Sequence, residues 1–413
     1  MKKTTVIIGI LLILACMWVV SAENQIIVGI IIDETGDSAL FAPGIKAAIN
    51  LAISDLNESY EKAGMDMSVR LIIAGTDGTK DGAAVAGEEL VAQGVDVIVL
   101  PSTSEEVSGM LPVLNREGII SVNPSSSIAL SSPGNPMVRL CPDDNGLLRA
   151  VEKHHQLIER DSPELKVVVL ARDDLYGKVL GDGGYFCSHV VDTIMYPQNT
   201  RDFTNALDVL DATVADLIEE VGEDSVIVSA ISFDEIADIL AQASAYPNLK
   251  KVHWEGTDVV ALNSAVLMNE TAASFAYDTS LTAVSFNVAQ PESSDYWRVY
   301  DVVKSATGKN PGIYEILPYD CTLMAVWIMQ NNPSDLAETL HIADSFGKFS
   351  YGATGWLKLN ENSDREYGDF YFYQVTKGTD GKYRWIPVKA YMYQSDSIIS
   401  LDGVDNIFMR QYQ

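Results

Sequence analysis

Short continuous apolar runs alternate along the chain with longer stretches in which apolar residues recur every third or fourth position, the marks of buried strands and of amphipathic helices. Residues 26–32 read as a strand, and Ile45, Ala48, Ile49, Ala52, Ile53 and Leu56 mark one face of the helix that follows. Further strands are expected at 69–74, 95–100 and 119–122, separated by helices over about 81–93 and 105–117. After Arg139 the rhythm starts again. Helices from Gly146 and Gly177, and over 205–220 and 234–245, lie between strands at 167–171, about 191–195, 226–229 and 252–255. Two successive blocks of this kind predict an α/β protein of two doubly wound, Rossmann-like lobes.

The last third departs from that rhythm. Helices over 294–307 and 319–330 precede strands at 356–359, 370–375 and 383–388, with Asp380-Gly381 as a hairpin turn. These elements are too few for a third lobe and complete the first two. The expected division is residues 23–142 with 275–345 in lobe 1, and 143–274 with 346–413 in lobe 2.

Two loops carry the candidate chemistry. The strand at 95–100 runs into Pro101-Ser102-Thr103-Ser104, and that at 119–122 into Asn123-Pro124-Ser125-Ser126-Ser127. If the two strands are adjacent and parallel, both loops leave one carboxyl edge, where open α/β sheets build their ligand sites. Thr103 and Glu106 also fit a capping box, so helix capping accounts for the same residues. A carboxylate suits the start of the intervening helix, where unpaired N–H groups and the dipole favour negative charge.

Residues 1–22 read as a secretory leader: Lys2 and Lys3 precede an apolar stretch that ends in Val20-Ser21-Ala22. Ile13-Leu14-Ala15-Cys16 offers a lipoprotein-type cut instead, and an uncleaved anchor is a third possibility. Each places the protein outside the cytoplasm, secreted or held at the cell surface. The formal charge is −29, and loss of a leader holding two lysines and no acid makes the rest more acidic still. A field of that sign repels nucleic acid and anionic lipid. Cys141, Cys187 and Cys321 remain beyond the leader, an odd number with no C-x-x-C spacing, which indicates neither a disulfide framework nor a zinc site; they read as buried free thiols, with one pair still open to form in an oxidising compartment.

Val28-Gly29-Ile30, Thr35-Gly36, the two serine loops, Asp173-Asp174-Leu175-Tyr176-Gly177, Gly256-Thr257-Asp258 and Pro318-Tyr319-Asp320 follow one another in an order that resembles the type I solute-binding proteins of the branched-chain amino acid and amide class. The resemblance runs from about residue 26 to 375. It implies two lobes joined by a three-crossing hinge around a cleft, in a monomeric, non-enzymatic receptor. Such a receptor captures a small amino-acid-like or amide ligand and delivers it to the membrane subunits of an ABC importer, with no cofactor or metal. Ser104, Ser125 and Ser127 match the cradle for a ligand carboxylate, and Asp258 the acid that faces an ammonium group. Phe41 and Tyr176 match aromatic walls of the two lobes, and Ser232 and Phe233 fall where another second-lobe contact belongs. Val259 stands where the family often has glycine, and Glu105 and Glu106 are expected to compete with an anionic ligand for the positive helix end.

Other classes fit less well. Gly36-Asp37-Ser38-Ala39-Leu40 resembles the nucleophile block of GDSL-type esterases, but none of His154, His155, His189, His253 or His341 stands in that family's Asp-x-x-His arrangement. No G-x-G-x-x-G follows the first strand and no G-K-[ST] loop is present. Adjacent His154 and His155 diverge by about 100° on a helix and do not readily share an ion. A sensory receptor using the same cleft is the nearer rival, and it requires a separate signalling partner.

Overall fold

The computed structural model describes residues 24–99, 103–182, 189–287 and 294–401. The first sheet is built from β1 (Asn24–Asp33), β2 (Met67–Thr76), β3 (Val97–Val99), β4 (Ser121–Asn123) and β5 (Met137–Pro142), all parallel, in the order β5-β4-β3-β1-β2. The second repeats this plan with β6 (Lys166–Arg172), β7 (Val190–Tyr196), β8 (Val226–Ile231), β9 (His253–Gly256) and β10 (Thr282–Asn287), in the order β10-β9-β8-β6-β7. In both sheets the strand order reverses beside the first strand. Loops from neighbouring strands part there and leave a crevice at the carboxyl edge.

The rest of the chain completes these two sheets. β11 (Tyr351–Gly352) and β12 (Gly355–Trp356) form a small separate hairpin. β13 (Asp364–Arg365) lies beside β5 in the first sheet. β14 (Asp369–Lys377), β15 (Tyr383–Met392) and β16 (Ser397–Ser400) continue the second sheet antiparallel beyond β10, turning between β14 and β15 at Gly381 with φ +79°. The chain therefore passes between lobes three times: near 142–144, between Asn287 and Ser294, and between Arg365 and Asp369.

Two expected boundaries move. Lobe 2 runs on to Asn287 rather than 274, because β10 pairs with β9 and β14. Lobe 1 runs on to Arg365 rather than 345. There Arg139 of β5 forks onto Asp364, with Nε to Oδ1 at 2.5 Å and Nη2 to Oδ2 at 2.6 Å, both side chains buried. The expected strand at 356–359 is reduced to Gly355–Trp356, with Leu359 making a single bridge to Arg365. β5, β10, β16 and the Leu336–Phe349 helix are additions to the pattern read from the sequence.

Ile45, Ala48, Ile49 and Ala52 are buried on the Ala42–Ala63 helix, as the periodicity predicts. That helix is long and apolar enough to cross a membrane, yet its apolar stripe belongs to the core of lobe 1, with Val28, Ile30 and Ile316. Burying one such side chain contributes about 1.5–3 kcal/mol. Cys141 and Cys321 are buried free thiols, whereas Cys187 and the 1–22 leader lie outside the described residues.

Candidate ligand-binding cleft

Asp33, at the end of β1, shapes the first wall. Its Oδ1 accepts from the N–H groups of Thr35 (3.1 Å) and Gly36 (2.6 Å), and Oδ2 from Ser38 (2.9 Å). Gly36 is required in this turn, because a Cβ there would run into the Asp77 carbonyl. The turn delivers Ser38 and Phe41 to the cleft.

Among the described residues of the serine loops, the capping reading is borne out. Thr103 caps the Ser104–Glu117 helix by accepting from Glu106 N at 3.3 Å, and Glu106 Oε2 accepts from Thr103 N at 3.0 Å. Ser104, the first residue of that helix, accepts from Ser127 N at 3.2 Å and so joins the two loops. Asn123 Oδ1 holds Ser125 through both its N–H (3.0 Å) and its hydroxyl (2.6 Å). Glu106 is buried in the cap, and Glu105 Oε2 reaches across the cleft to accept from Leu175 N at 2.7 Å.

From lobe 2, Asp174 caps the Leu175–Gly181 helix by accepting from Gly177 N at 2.8 Å. Gly177 has no room for a Cβ against the Arg172 carbonyl. Tyr176 stacks on Phe233 at 5.4 Å, and the Arg172 guanidinium lies over the Phe233 ring at 3.9 Å. Asp258 follows β9 and accepts from two phenols: Tyr176 on Oδ1, and Tyr314 of the lobe 1 helix Ile313–Gln330 on Oδ2. Burial raises the Asp258 pKa, and the two phenols pull it back. Burial also lifts both tyrosine hydroxyls well above their usual range, and the Asp258 charge adds to the effect.

These groups enclose a cavity of about 70 Å³. Ser104, Ser125, Tyr176, Asp258, Phe41 and Phe233 line it, with Ser38, Ile45, Val259 and Tyr314 among their neighbours; among the described residues, no Lys, Arg or His does. Two expected contacts lie behind the wall instead. Ser127 and Ser232 are fully buried: the Ser127 backbone bridges Ser104 and Arg139, and the Ser232 hydroxyl has no partner. Tyr314 was missed because the sequence places the start of its helix at Tyr319. Glu315 in fact accepts from Gly312 N at 3.0 Å and starts the helix ahead of Pro318. The Pro318-Tyr319-Asp320 motif close by was the available signal.

Asp37 joins the lobes outside the cavity. It projects from lobe 1 into lobe 2, where Oδ2 accepts from Asn199 N at 3.0 Å and lies 3.4 Å from Arg172, while Oδ1 lies 3.1 Å from Arg201. His154 and His155 are committed elsewhere, to the two oxygens of Glu255 at 3.2 and 2.8 Å.

Comparison with known proteins places these features in context. Residues 25–252 match the family model described as periplasmic binding protein. An uncharacterized protein of Methanocaldococcus jannaschii is 25% identical over 409 residues, covering 88% of this chain and 93% of that protein. The branched-chain amino acid transporter substrate binding protein LivJ of Streptococcus pneumoniae, solved with isoleucine, is 18% identical with TM-score 0.68, covering 88% of this chain and 99% of that one. The leucine binding protein LivK of Thermotoga maritima is 17% identical, also with TM-score 0.68, over 91% and 99%. A solute binding protein of an ABC transporter from R. palustris, solved with benzoate, is 14% identical with TM-score 0.68, over 88% and 96%.

Proposed function

Because the chain belongs to the periplasmic binding protein family and is a two-lobed solute-binding receptor of the extracytoplasmic side, we propose that its cargo is a small amino-acid-like zwitterion, delivered to an ABC importer. The observation that carries this reading is Asp258, a buried carboxylate in a cavity that no base lines among the described residues. A ligand ammonium supplies the missing countercharge through charge-assisted hydrogen bonds. The ligand carboxylate is assigned to the serine loops, where Ser104 is the first residue of a helix and Ser125 lies in the neighbouring loop. Phe41, Ile45 and Val259 enclose an aliphatic remainder and exclude water.

The test is a thermal-shift comparison of L-leucine, L-isoleucine, small amides and benzoate. A ligand at about 100 times its Kd adds about 2.7 kcal/mol of stability. Benzoate carries no ammonium group. Stabilisation by benzoate or amides with none from amino acids would refute the zwitterion reading.

A further inference from the structure

Acids outnumber bases in this chain by 57 to 28, so a cavity lined by bases and not by acids runs against its general character. One such cavity, of about 530 Å³, is lined by Lys304, Lys309, Lys382 and Arg384, and among the described residues by no Asp or Glu. It lies on the seam between the lobes. Lys304, on the Ser294–Thr307 helix, and Lys309, just beyond it, belong to lobe 1, whereas Lys382, in the turn between β14 and β15, and Arg384, on β15, belong to lobe 2. Lys309 already crosses the seam. Its Nζ donates to the Ser264 hydroxyl of lobe 2 and to the Leu40 carbonyl of lobe 1, each at 3.2 Å, and lies 5.9 Å from the ring of the cleft residue Phe41.

These charges are only partly compensated. Lys309 lies 4.0 Å from Glu315 Oε1, and Arg384 pairs with Asp380 at 2.6 Å. Lys304 and Lys382, both exposed, make no ion pair among the described residues. Local roles account for two of the four bases: Lys304 complements the negative end of its helix, and Arg384 steadies the hairpin turn through Asp380. Neither role gathers bases from two lobes around one cavity. Like charges brought together there repel and oppose closure of the lobes, and an anion between them reverses the sign of that contribution.

We propose that this cavity is a second binding site, for a small anion bearing two or more carboxylate or phosphate groups, and that the anion favours closure of the cleft by pairing with bases of both lobes. More than one anionic group is required to meet both sides at once, and charge-assisted hydrogen bonds hold each group in place. The anion is compact, because the strong net negative charge of the chain repels an extended polyanion. Since the bases stand together only when the lobes do, binding shifts the population toward the closed form. The proposal does not rest on the identity of the ligand in the main cleft.

The site is tested by calorimetry at low ionic strength, where exposed charges are least screened, with pyrophosphate, citrate and, as a monovalent control, acetate. One equivalent of pyrophosphate, of citrate or of either should bind, the pattern telling phosphate from carboxylate chemistry, and acetate should not. Lys304→Gln in lobe 1 and Lys382→Gln in lobe 2 replace exposed side chains and leave the core intact. Each should weaken the anion about fivefold, the upper end for an exposed ion pair, and the two together about 25-fold. Failure of both multivalent anions to bind, acetate binding as tightly as they do, or an affinity unmoved in both variants overturns the site. A loss in one variant alone places the anion on a single lobe and overturns the bridging. Small-angle scattering of the protein without cleft ligand should show a smaller radius of gyration at saturating anion, and an unchanged radius overturns the effect on closure.

Discussion

Asp37 offers a test of how the closed cleft is held that does not depend on ligand chemistry, because it lies outside the cavity. Replacing it by alanine removes the carboxylate that meets Asn199 N, Arg172 and Arg201. Arg172 keeps Asp174 at 2.5 Å and Glu235 at 2.6 Å, so no buried cation is left without a partner. A hydrogen bond to a charged group contributes about 1.5–3 kcal/mol. The contact to half-exposed Arg201 contributes about 0.2–1 kcal/mol. Opening returns Asp37 to water, which offsets part of this, and a net change near 2 kcal/mol in favour of the open form is expected. At about 1.4 kcal/mol per decade, the Kd of a ligand that requires closure rises roughly 30-fold. Calorimetry should show that weakening, stopped-flow should place most of it in the dissociation rate, and small-angle scattering at limiting ligand should show a larger radius of gyration. An Asp37→Ala protein with wild-type affinity and compactness would refute the argument.

Asp258→Asn should weaken amino-acid binding by about 2–5 kcal/mol, more than the roughly 1–3 kcal/mol expected for Ser104→Ala, because backbone N–H groups still hold the carboxylate end in the serine variant. Calorimetry on both folded variants checks the order, and equal affinities would exclude the ammonium role. Asp364→Ala leaves Arg139 as a buried unpaired cation and should lower stability by about 3–5 kcal/mol in denaturant titrations. Burial pushes Glu106 up to about 7, so the native state binds more protons than the unfolded chain between that value and the usual carboxylate range. Stability should therefore fall as pH rises through that window, and Glu106→Gln, which keeps an acceptor for Thr103, should flatten the slope in pH-dependent melting.

Much of the scaffold was legible because central parallel strands buried on both faces read as uninterrupted apolar runs, as in β1, β3, β6 and β8. The serine loops could be assigned to one sheet edge because short βα connections force successive parallel strands to send their loops the same way. Strands whose polar residues are satisfied from far away could not be recognised. Arg139 interrupts β5, and its partner Asp364 is 225 residues distant. Thr282 and Ser285 interrupt β10, although both are buried between neighbouring strands.

The same distinction runs through the site. Tyr176 and Asp258 sit in turn motifs whose local chemistry is visible in the sequence, so their delivery to the cleft was foreseeable. Ser127 and Ser232 sit in similar polar turns but are fully buried and do not line the cavity, a difference that packing decides. Tyr314 and Asp37 carry no local signal, because each acquires its role from a group on another element: Asp258 for Tyr314 and Arg172 for Asp37. Periodicity and turn chemistry are properties of neighbouring residues and survive in the sequence. The field at a buried carboxyl is the sum over groups brought together from both lobes, and it exists only once the chain has folded.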